Sequence, residues 1–390
     1  MEKAISNTDT SIFLSYCSAD NHDINRIDNL FLRFNIKVTR DIRDLAYNAD
    51  IHKFMDKVKT HDKIILYVSD SYLKSVNCMY EGAQVLDMQD RVIIILKKGT
   101  KLFGVDDKKN LISYWEEKMD NIEIENKAKE IRRDIIEQVY IASSGHPGGS
   151  LSIADIMAVL YFDELNIDEK NPKWEDRDRL VLSKGHCSPA LYSCLANRGF
   201  FDVEKLKTFR NINSNLQGHP DMNKVPGVDI SSGSLGQGLS CANGMAIAGK
   251  MDNKNYRVYC ILGDGEIEEG QVWEAAMASN KYKLDNLCVI VDNNNLQIDG
   301  TIEEVMSSYP IDEKFKSFGF QVINIDGHNI QEIIDAFDVA KNVKDKPTCI
   351  IAKTIKGKGV SYMENDVKWH GIAPNEEQYQ LAMKELGGAI

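Results

Sequence analysis

No Cys-x-x-Cys pair occurs in these 390 residues: the eight cysteines stand at 17, 78, 187, 194, 241, 260, 288 and 349, several inside apolar runs such as Tyr259-Cys260-Ile261-Leu262. That scatter reads as reduced, mostly buried thiols, not as disulfides or zinc ligands. Prolines number only 8, and there is no internal repeat or low-complexity stretch, which excludes collagen-like, fibrous and disordered classes. No apolar run approaches the roughly 20 residues of a membrane span. The opening Met1-Glu2-Lys3-Ala4-Ile5-Ser6 lacks the apolar stretch of a signal peptide, so a cytoplasmic chain without membrane association is the expectation. Positive charge is also short. The formal net charge is −12, which argues against binding nucleic acid, because a phosphate backbone calls for a clustered basic surface. Residues 1–120 hold 18 Lys and Arg against 19 Asp and Glu, leaving 29 against 40 for the remainder, so the acidity belongs to the second part.

The length suits two cores. In the first part β-like runs at Ser11–Tyr16, Lys37–Thr39, Lys63–Ser69 and Arg91–Leu96 alternate with helical stretches at Ile24–Phe34, Ile51–Lys59 and Cys78–Met88. Alternation at that pace predicts a parallel sheet covered on both faces, since parallel strands need crossover helices. Asn110–Lys118 reads as a closing helix and Met119–Glu123 as a short polar boundary, giving domains over 1–120 and 121–390. The second part opens on a helix, Glu125–Ala142, with Ile131, Ile135, Ile136 and Val139 on one stripe. Strands follow at Arg257–Leu262, Leu287–Val291, Phe320–Ile325 and Pro347–Lys353, separated by helices such as Glu268–Lys281 and Ile330–Lys341. The expected fold class is α/β, with two doubly wound parallel-sheet domains, the second larger.

The most informative stretch is Gly263-Asp264-Gly265 at the end of an apolar strand, with a second strand ending Asp292-Asn293-Asn294-Asn295. A strand delivering Gly-Asp-Gly to a helix start puts a carboxylate and open backbone amides at the carboxyl edge of the sheet, where open α/β folds bind ligands. Magnesium takes octahedral oxygens, usually a few from protein and the rest from water and phosphates. Asp264, Asn294 and the carbonyl of Leu296 make a plausible half-shell. Taken alone, Gly-Asp-Gly is equally a tight turn capping a helix.

Gly263-Asp264-Gly265 with Asn294 about 30 residues later is the pattern by which thiamine-diphosphate enzymes hold magnesium and diphosphate. Its surroundings closely resemble transketolase. The matching phrases, in order, are Ser144-Gly145-His146-Pro147-Gly148, Leu182-Ser183-Lys184-Gly185-His186, Gly218-His219-Pro220, Ser234-Leu235-Gly236-Gln237-Gly238, Gly263 through Gly270, Trp273-Glu274-Ala275 and His370-Gly371. The resemblance implies that His186, Gly263, Gly265 and Glu266 belong to the cofactor site, and that Gly236, Gln237 and Gly238 line its cleft. It implies that His146, His219 and His370 face the sugar phosphate, where imidazoles exchange protons with hydroxyl groups. A lone histidine is more often a surface or core group, but four of the eight here sit in glycine-containing motifs. Glu269 and Glu274 match acidic residues that couple active sites across a subunit interface; on an isolated helix they are simply a solvated face. Ser234 stands where many relatives have proline. The resemblance covers roughly 121–390 and is closest to the amino-terminal subunit of a split transketolase. A separate carboxy-terminal subunit, carrying the pyrimidine-binding domain and its glutamate, is the expected partner, with self-association and sugar phosphates as substrates.

The first part resembles Toll/interleukin-1 receptor (TIR) domains, which are small and flavodoxin-like. Ile12-Phe13-Leu14-Ser15-Tyr16 with Asp20 resembles their opening strand and turn, Arg40-Asp41-Ile42-Arg43-Asp44-Leu45 the start of their BB loop, and Ser69 through Glu81 the segment carrying the glutamate of NAD-cleaving members. Glu81 is the implied catalytic carboxylate and NAD the implied substrate, with Ser15, Tyr16 and Asp41 as secondary candidates near the nucleotide. A purely adhesive domain keeps the same residues on a helix surface. The BB loop has Asn48 in place of the usual glycine, and asparagine best tolerates left-handed backbone. Two functions follow: a transketolase half-enzyme with an appended TIR domain, or a TIR effector using the transketolase-like part as an oligomeric scaffold or metabolite sensor.

Overall fold

The computed structural model describes residues 11–33, 38–40, 61–75, 78, 91–97, 100 and 105–388. Two compact units divide between Met119 and Asp120. The first is built on strands β1 (Ile12–Tyr16), β2 (Val38–Arg40), β3 (Lys63–Val68) and β4 (Val92–Leu96), with helix α1 (Asn21–Arg33) between β1 and β2. The sheet runs β2-β1-β3-β4, every pair parallel, and Phe13 lies opposite both Thr39 and Ile64. Strand β1 is buried throughout, and its side chains alternate between two cores. Ile12, Leu14 and Tyr16 pack with Ile24 and Phe31 of α1, while Phe13 packs with Leu66 and Tyr72 on the other face. Two-faced burial is what a parallel sheet between helical layers demands.

Inside this unit Arg40 is buried and donates to Tyr16 Oη at 2.8 Å, Asn25 at 2.8 Å, Asn21 at 3.1 Å and Asp28 at 3.2 Å. Ser15 Oγ pairs with Tyr72 Oη at 3.1 Å. Ser15 and Tyr16, expected near a nucleotide, are therefore core groups held by neighbours. Glu81, Asp41, Asn48 and the helix expected over Ile51–Lys59 lie outside the described residues, as does the Cys78–Met88 helix apart from Cys78.

Helix α2 runs unbroken from Val105 to Ile141. The polar boundary expected at Met119–Glu123 does not interrupt it, because Met119-Asp120-Asn121-Ile122-Glu123 contains neither the proline nor the glycine that would end a helix. The second unit continues with α3 (Pro147–Ser152), α4 (Ala154–Val159), β5 (Arg179–Leu182), α5 (Ser188–Asn197), α6 (Gly238–Met251), β6 (Val258–Gly263), α7 (Gly270–Lys281), β7 (Leu287–Asn293), α8 (Ile311–Ser317), β8 (Gln321–Asp326), α9 (Ile330–Asn342), β9 (Thr348–Lys353) and α10 (Glu376–Glu385). Its strands are ordered β5-β6-β7-β9-β8, again all parallel. Alternation again splits the core. Tyr259, Ile261, Ile290 and Ile350 face Ile131, Ile135 and Val139 of α2 together with α4, α5 and α9, whereas Cys260, Leu262, Val289 and Ile351 face α6, α7 and α8. Strand β5 was not expected, being only four residues long and followed at once by the Ser183-Lys184-Gly185 turn. No helix among the described residues is long and apolar enough to cross a membrane.

One half-buried carboxyl on α2 gives this unit a pH signature. Burial pushes the Asp134 carboxyl up to about 7 from 3.8, with the Asn197 amide at 2.6 Å pulling the other way. Between those values the unfolded chain ionises Asp134 and the folded chain does not, so stability falls as pH rises through the window. Asp134→Asn is expected to melt in urea at higher concentration than the native chain at pH 8, with the gap closing towards pH 4.

Candidate functional site

The carboxyl ends of β6, β7 and β9 open on a hollow of about 330 Å3. Gly263 ends β6 and Asp264-Gly265 follows it, Asn294 and Leu296 follow β7, and Thr354-Ile355-Lys356 follows β9. Asp264 is buried, its Oδ1 accepting the Gly265 N–H at 2.9 Å and its Oδ2 that of Asn295 at 2.6 Å. Among the described residues no lysine or arginine is paired with it, and burial beside Asp292 pushes its carboxyl up to about 7. Asn294 donates to Asp292 at 2.9 Å and accepts the Leu296 N–H at 3.1 Å, while the Leu296 carbonyl accepts from Lys356 Nζ at 3.1 Å. These three oxygens are the hard donors magnesium prefers. Among the described residues no cluster of three His, Cys, Asp or Glu side chains is built to hold a metal. One carboxylate with two neutral oxygens makes an incomplete shell, which suits a cation bound together with anionic oxygens.

Basic groups border the same hollow. Lys184 is buried in an ion pair with Asp292, whose carboxylate also accepts from Ser152 Oγ at 2.7 Å and from Thr354 Oγ1. Lys356 Nζ reaches the carbonyls of Leu296 and Gln297, each at 3.1 Å, and His370 Nδ1 at 2.9 Å. Burial and the nearby Lys184 bring the Lys356 ammonium down to about 8. Since Lys356 donates to His370 Nδ1, the imidazole proton stands on Nε2. The rings of His146, His186 and His370 form a triangle with centroids 5.3 to 5.4 Å apart. Burial and the surrounding cations push His146 down to about 4 and His370 to about 3, and hold His186 well below the ordinary range. Burial, then Arg210, lowers His219 as well. All four imidazoles are neutral at pH 7. His219 sits at the rim, where Gly233, at φ +141°, leaves only 2.9 Å between its missing Cβ and the His219 ring. A hollow with neutral imidazoles, a Lys356 ammonium that meets only carbonyls and an imidazole, and an Asp264 carboxylate with no basic partner fits a magnesium-bound diphosphate: the anion would supply the counter-charge of Lys356, the metal that of Asp264.

The other expected residues separate. Gly263, Gly265 and Glu266 border the hollow, but the buried Glu266 carboxylate is occupied by Ser183 Oγ, by Gly236 N–H at 2.9 Å and by Gly263 N–H at 3.0 Å. Gly236, Gln237 and Gly238 lie beside it: Gly236 is tied to Glu266, Gln237 is exposed at the start of α6, and Gly238 packs on Ser183. Glu269 and Glu274 are exposed at the start and first turns of α7. Sequence reasoning missed Lys184, Asp292 and Lys356. Lys184 stands beside His186 in a glycine turn and Lys356 in a Lys-Gly-Lys run just past a strand, which was the available signal. A larger open hollow of about 930 Å3, walled by Phe200, Ile212 and Val225, carries Lys205 and Lys224 but no imidazole or carboxylate.

Residues 124–389 match the family model of the transketolase thiamine diphosphate binding domain, and residues 12–125 that of the TIR domain. The 6-deoxy-6-sulfo-D-fructose transketolase subunit SqwG of Clostridium sp. strain MSTE9 is 45% identical over 265 residues, 68% of this chain and 96% of that one. An apulose-4-phosphate transketolase subunit from Phocaeicola vulgatus is 45% identical over 68% of this chain and 95% of its own. Human transketolase is 44% identical, but the match spans 42% of its length. Among solved structures, transketolase from Campylobacter jejuni superposes with a TM-score of 0.65 at 38% identity, covering 68% of this chain and 43% of that one. The chain thus spans about two fifths of the single-chain transketolases it matches.

Proposed function

Because the chain belongs to the transketolase family, with a TIR domain ahead of the shared part, we propose that residues 121–390 are the thiamine-diphosphate- and magnesium-binding subunit of a split transketolase. The observation that carries this reading is the meeting of Asp264, Asn294, Leu296, Lys184, Lys356 and the histidines in one hollow. Asp264, Asn294 and the Leu296 carbonyl would hold magnesium. Gly265 and His186, with the field of Lys184 and Lys356, would hold the diphosphate. When bound, thiamine diphosphate supplies the carbon that takes up a two-carbon ketol unit and the electron sink for the broken C–C bond. His370 offers a proton from Nε2, and so would His146, whose Nδ1 faces the Arg210 guanidinium at 3.5 Å, while neutral His219 would accept one from a sugar hydroxyl. Exposed Glu269 and Glu274 would meet a second copy, and Gly236-Gln237-Gly238 would border the shared cleft. The names of the split relatives pair a sulfonated and a phosphorylated ketose, so the substrate class proposed is a ketose with an anionic terminus. The test mixes the chain with a transketolase carboxy-terminal subunit, magnesium and thiamine diphosphate, and follows consumption of xylulose 5-phosphate and 6-deoxy-6-sulfofructose. Turnover of neither, together with no cofactor binding, would leave the scaffold reading.

The TIR match supports a second, separate activity for the first unit, cleavage of NAD with Glu81 stabilising the positive ribose as nicotinamide departs. Glu81→Ala is expected to slow nicotinamide release by about 100-fold. Equal release from both proteins would remove Glu81 from that chemistry.

A further inference from the structure

A chain of polar contacts outside the hollow ends on one of its lysines. Arg132 of α2 is buried and grips Asp155 with both terminal nitrogens, at 2.9 and 2.6 Å, while its Nε donates to the Lys358 carbonyl at 3.1 Å. A bidentate pair of this kind fixes the carboxylate in one orientation. Asp155 Oδ2 then lies 2.7 Å from Nδ1 of His328, in the turn after β8. The other ring nitrogen, Nε2, accepts the main-chain N–H of Ile355 at 2.9 Å. A nitrogen that accepts carries no proton, so the imidazole proton stands on Nδ1 and is donated to Asp155. The turn reaches that close because Gly327 precedes His328: a Cβ there would lie 2.5 Å from the Thr354 methyl.

Ile355 is the residue before Lys356, and its neighbours are fastened too. Thr354 Oγ1 donates to Asp292, and the Gly357 N–H to the Gly148 carbonyl at 3.0 Å. Lys356 leaves this braced segment to reach the Leu296 and Gln297 carbonyls and His370 Nδ1. We propose that His328 is a positioning residue: by accepting the Ile355 N–H it sets the main chain from which Lys356 orients the Leu296 carbonyl and the His370 ring. His328 touches no group of the hollow itself. The inference rests on the transketolase reading for the identity of the ligand, though not for the placement of Lys356.

The test compares His328→Leu, which has no acceptor, with His328→Gln, whose Oε1 can stand where Nε2 stood, in the full-length chain. Reductive methylation read by mass spectrometry reports the accessibility of Lys356, with Lys184, held independently by Asp292, as the internal control. Calorimetry with magnesium and inorganic pyrophosphate reports the anion site. His328→Leu is expected to raise Lys356 methylation about tenfold, leave Lys184 protected and weaken magnesium pyrophosphate about tenfold, whereas His328→Gln stays within about threefold of the native chain, second-group effects being typically 10- to 100-fold. Unchanged Lys356 in His328→Leu, equal exposure of Lys184, or a glutamine variant as impaired as the leucine one overturns the proposal. A native chain that ignores magnesium pyrophosphate, while Lys356 responds as expected, sinks the cofactor reading and leaves the His328 contact standing.

Discussion

Asp264→Ala is expected to lower turnover of the reconstituted enzyme by about 1,000-fold or more and to abolish magnesium-dependent binding of thiamine diphosphate, because a bound metal contributes several kcal/mol and each 1.36 kcal/mol is a factor of ten. In the proposed shell Asp264 is the one negatively charged protein ligand, Asn294 and the Leu296 carbonyl being neutral. Without it the metal would have neutral protein ligands only, and the diphosphate would keep only Gly265, His186 and the field of the two lysines. Folding should move the other way. The Asp264 carboxyl is pushed up to about 7 from 3.8 by burial beside Asp292. A group whose folded value is raised in this way costs stability as pH climbs through that interval, since the unfolded chain sheds the proton first. The metal-free variant should therefore be at least as stable as the native chain at pH 8. Titration calorimetry and urea melts on one preparation check both halves; a variant that loses binding because it unfolds would contradict the assignment.

How much of this was legible in the sequence depended on whether the signal was local. Strands β6, β7 and β9 are uniform apolar runs because both faces of a parallel strand are buried, and the glycine turns after them mark where the chain opens to a ligand. Asp264 sits in such a turn, Asn294 just past β7, and the four histidines in glycine-containing phrases elsewhere in the chain. Lys184 and Lys356 gave only weak cues, since a lysine reads as a surface residue until the fold shows what surrounds it. Arg132, Asp155, His328 and Ile355 gave none: their contacts join residues from 23 to 226 positions apart, which no periodicity encodes. Glu266 shows what a motif leaves unsaid. Its place inside the Gly-Asp-Gly phrase suggested a cofactor contact, whereas its carboxylate is taken up by Ser183, Gly236 and Gly263 and braces the turn.

Lys184→Met should carry the largest cost in stability, about 3–5 kcal/mol, as expected when one member of a buried ion pair is removed. Methionine roughly fills the space of the lysine stem, so the cost measures the charge left behind and not a cavity. The Asp292 carboxylate is fully buried, and its ionised form is favoured in the native protein by Lys184 together with the hydroxyls of Thr354 and Ser152. Its value is thus held below the ordinary range, and the stability it confers is present above about pH 4 and lost as pH falls through the folded value. Remove Lys184 and the direction reverses, because burial beside Asp264 then favours the protonated acid. The deficit of the variant should accordingly be greatest near pH 8 and shrink towards pH 5, where Asp292 takes up a proton and becomes a neutral partner for Asn294. A pH-independent deficit would mean that the damage is one of packing. The pH-dependent outcome would show that Lys184 serves first to keep Asp292 ionised, the state in which Asp292 accepts from the Asn294 amide.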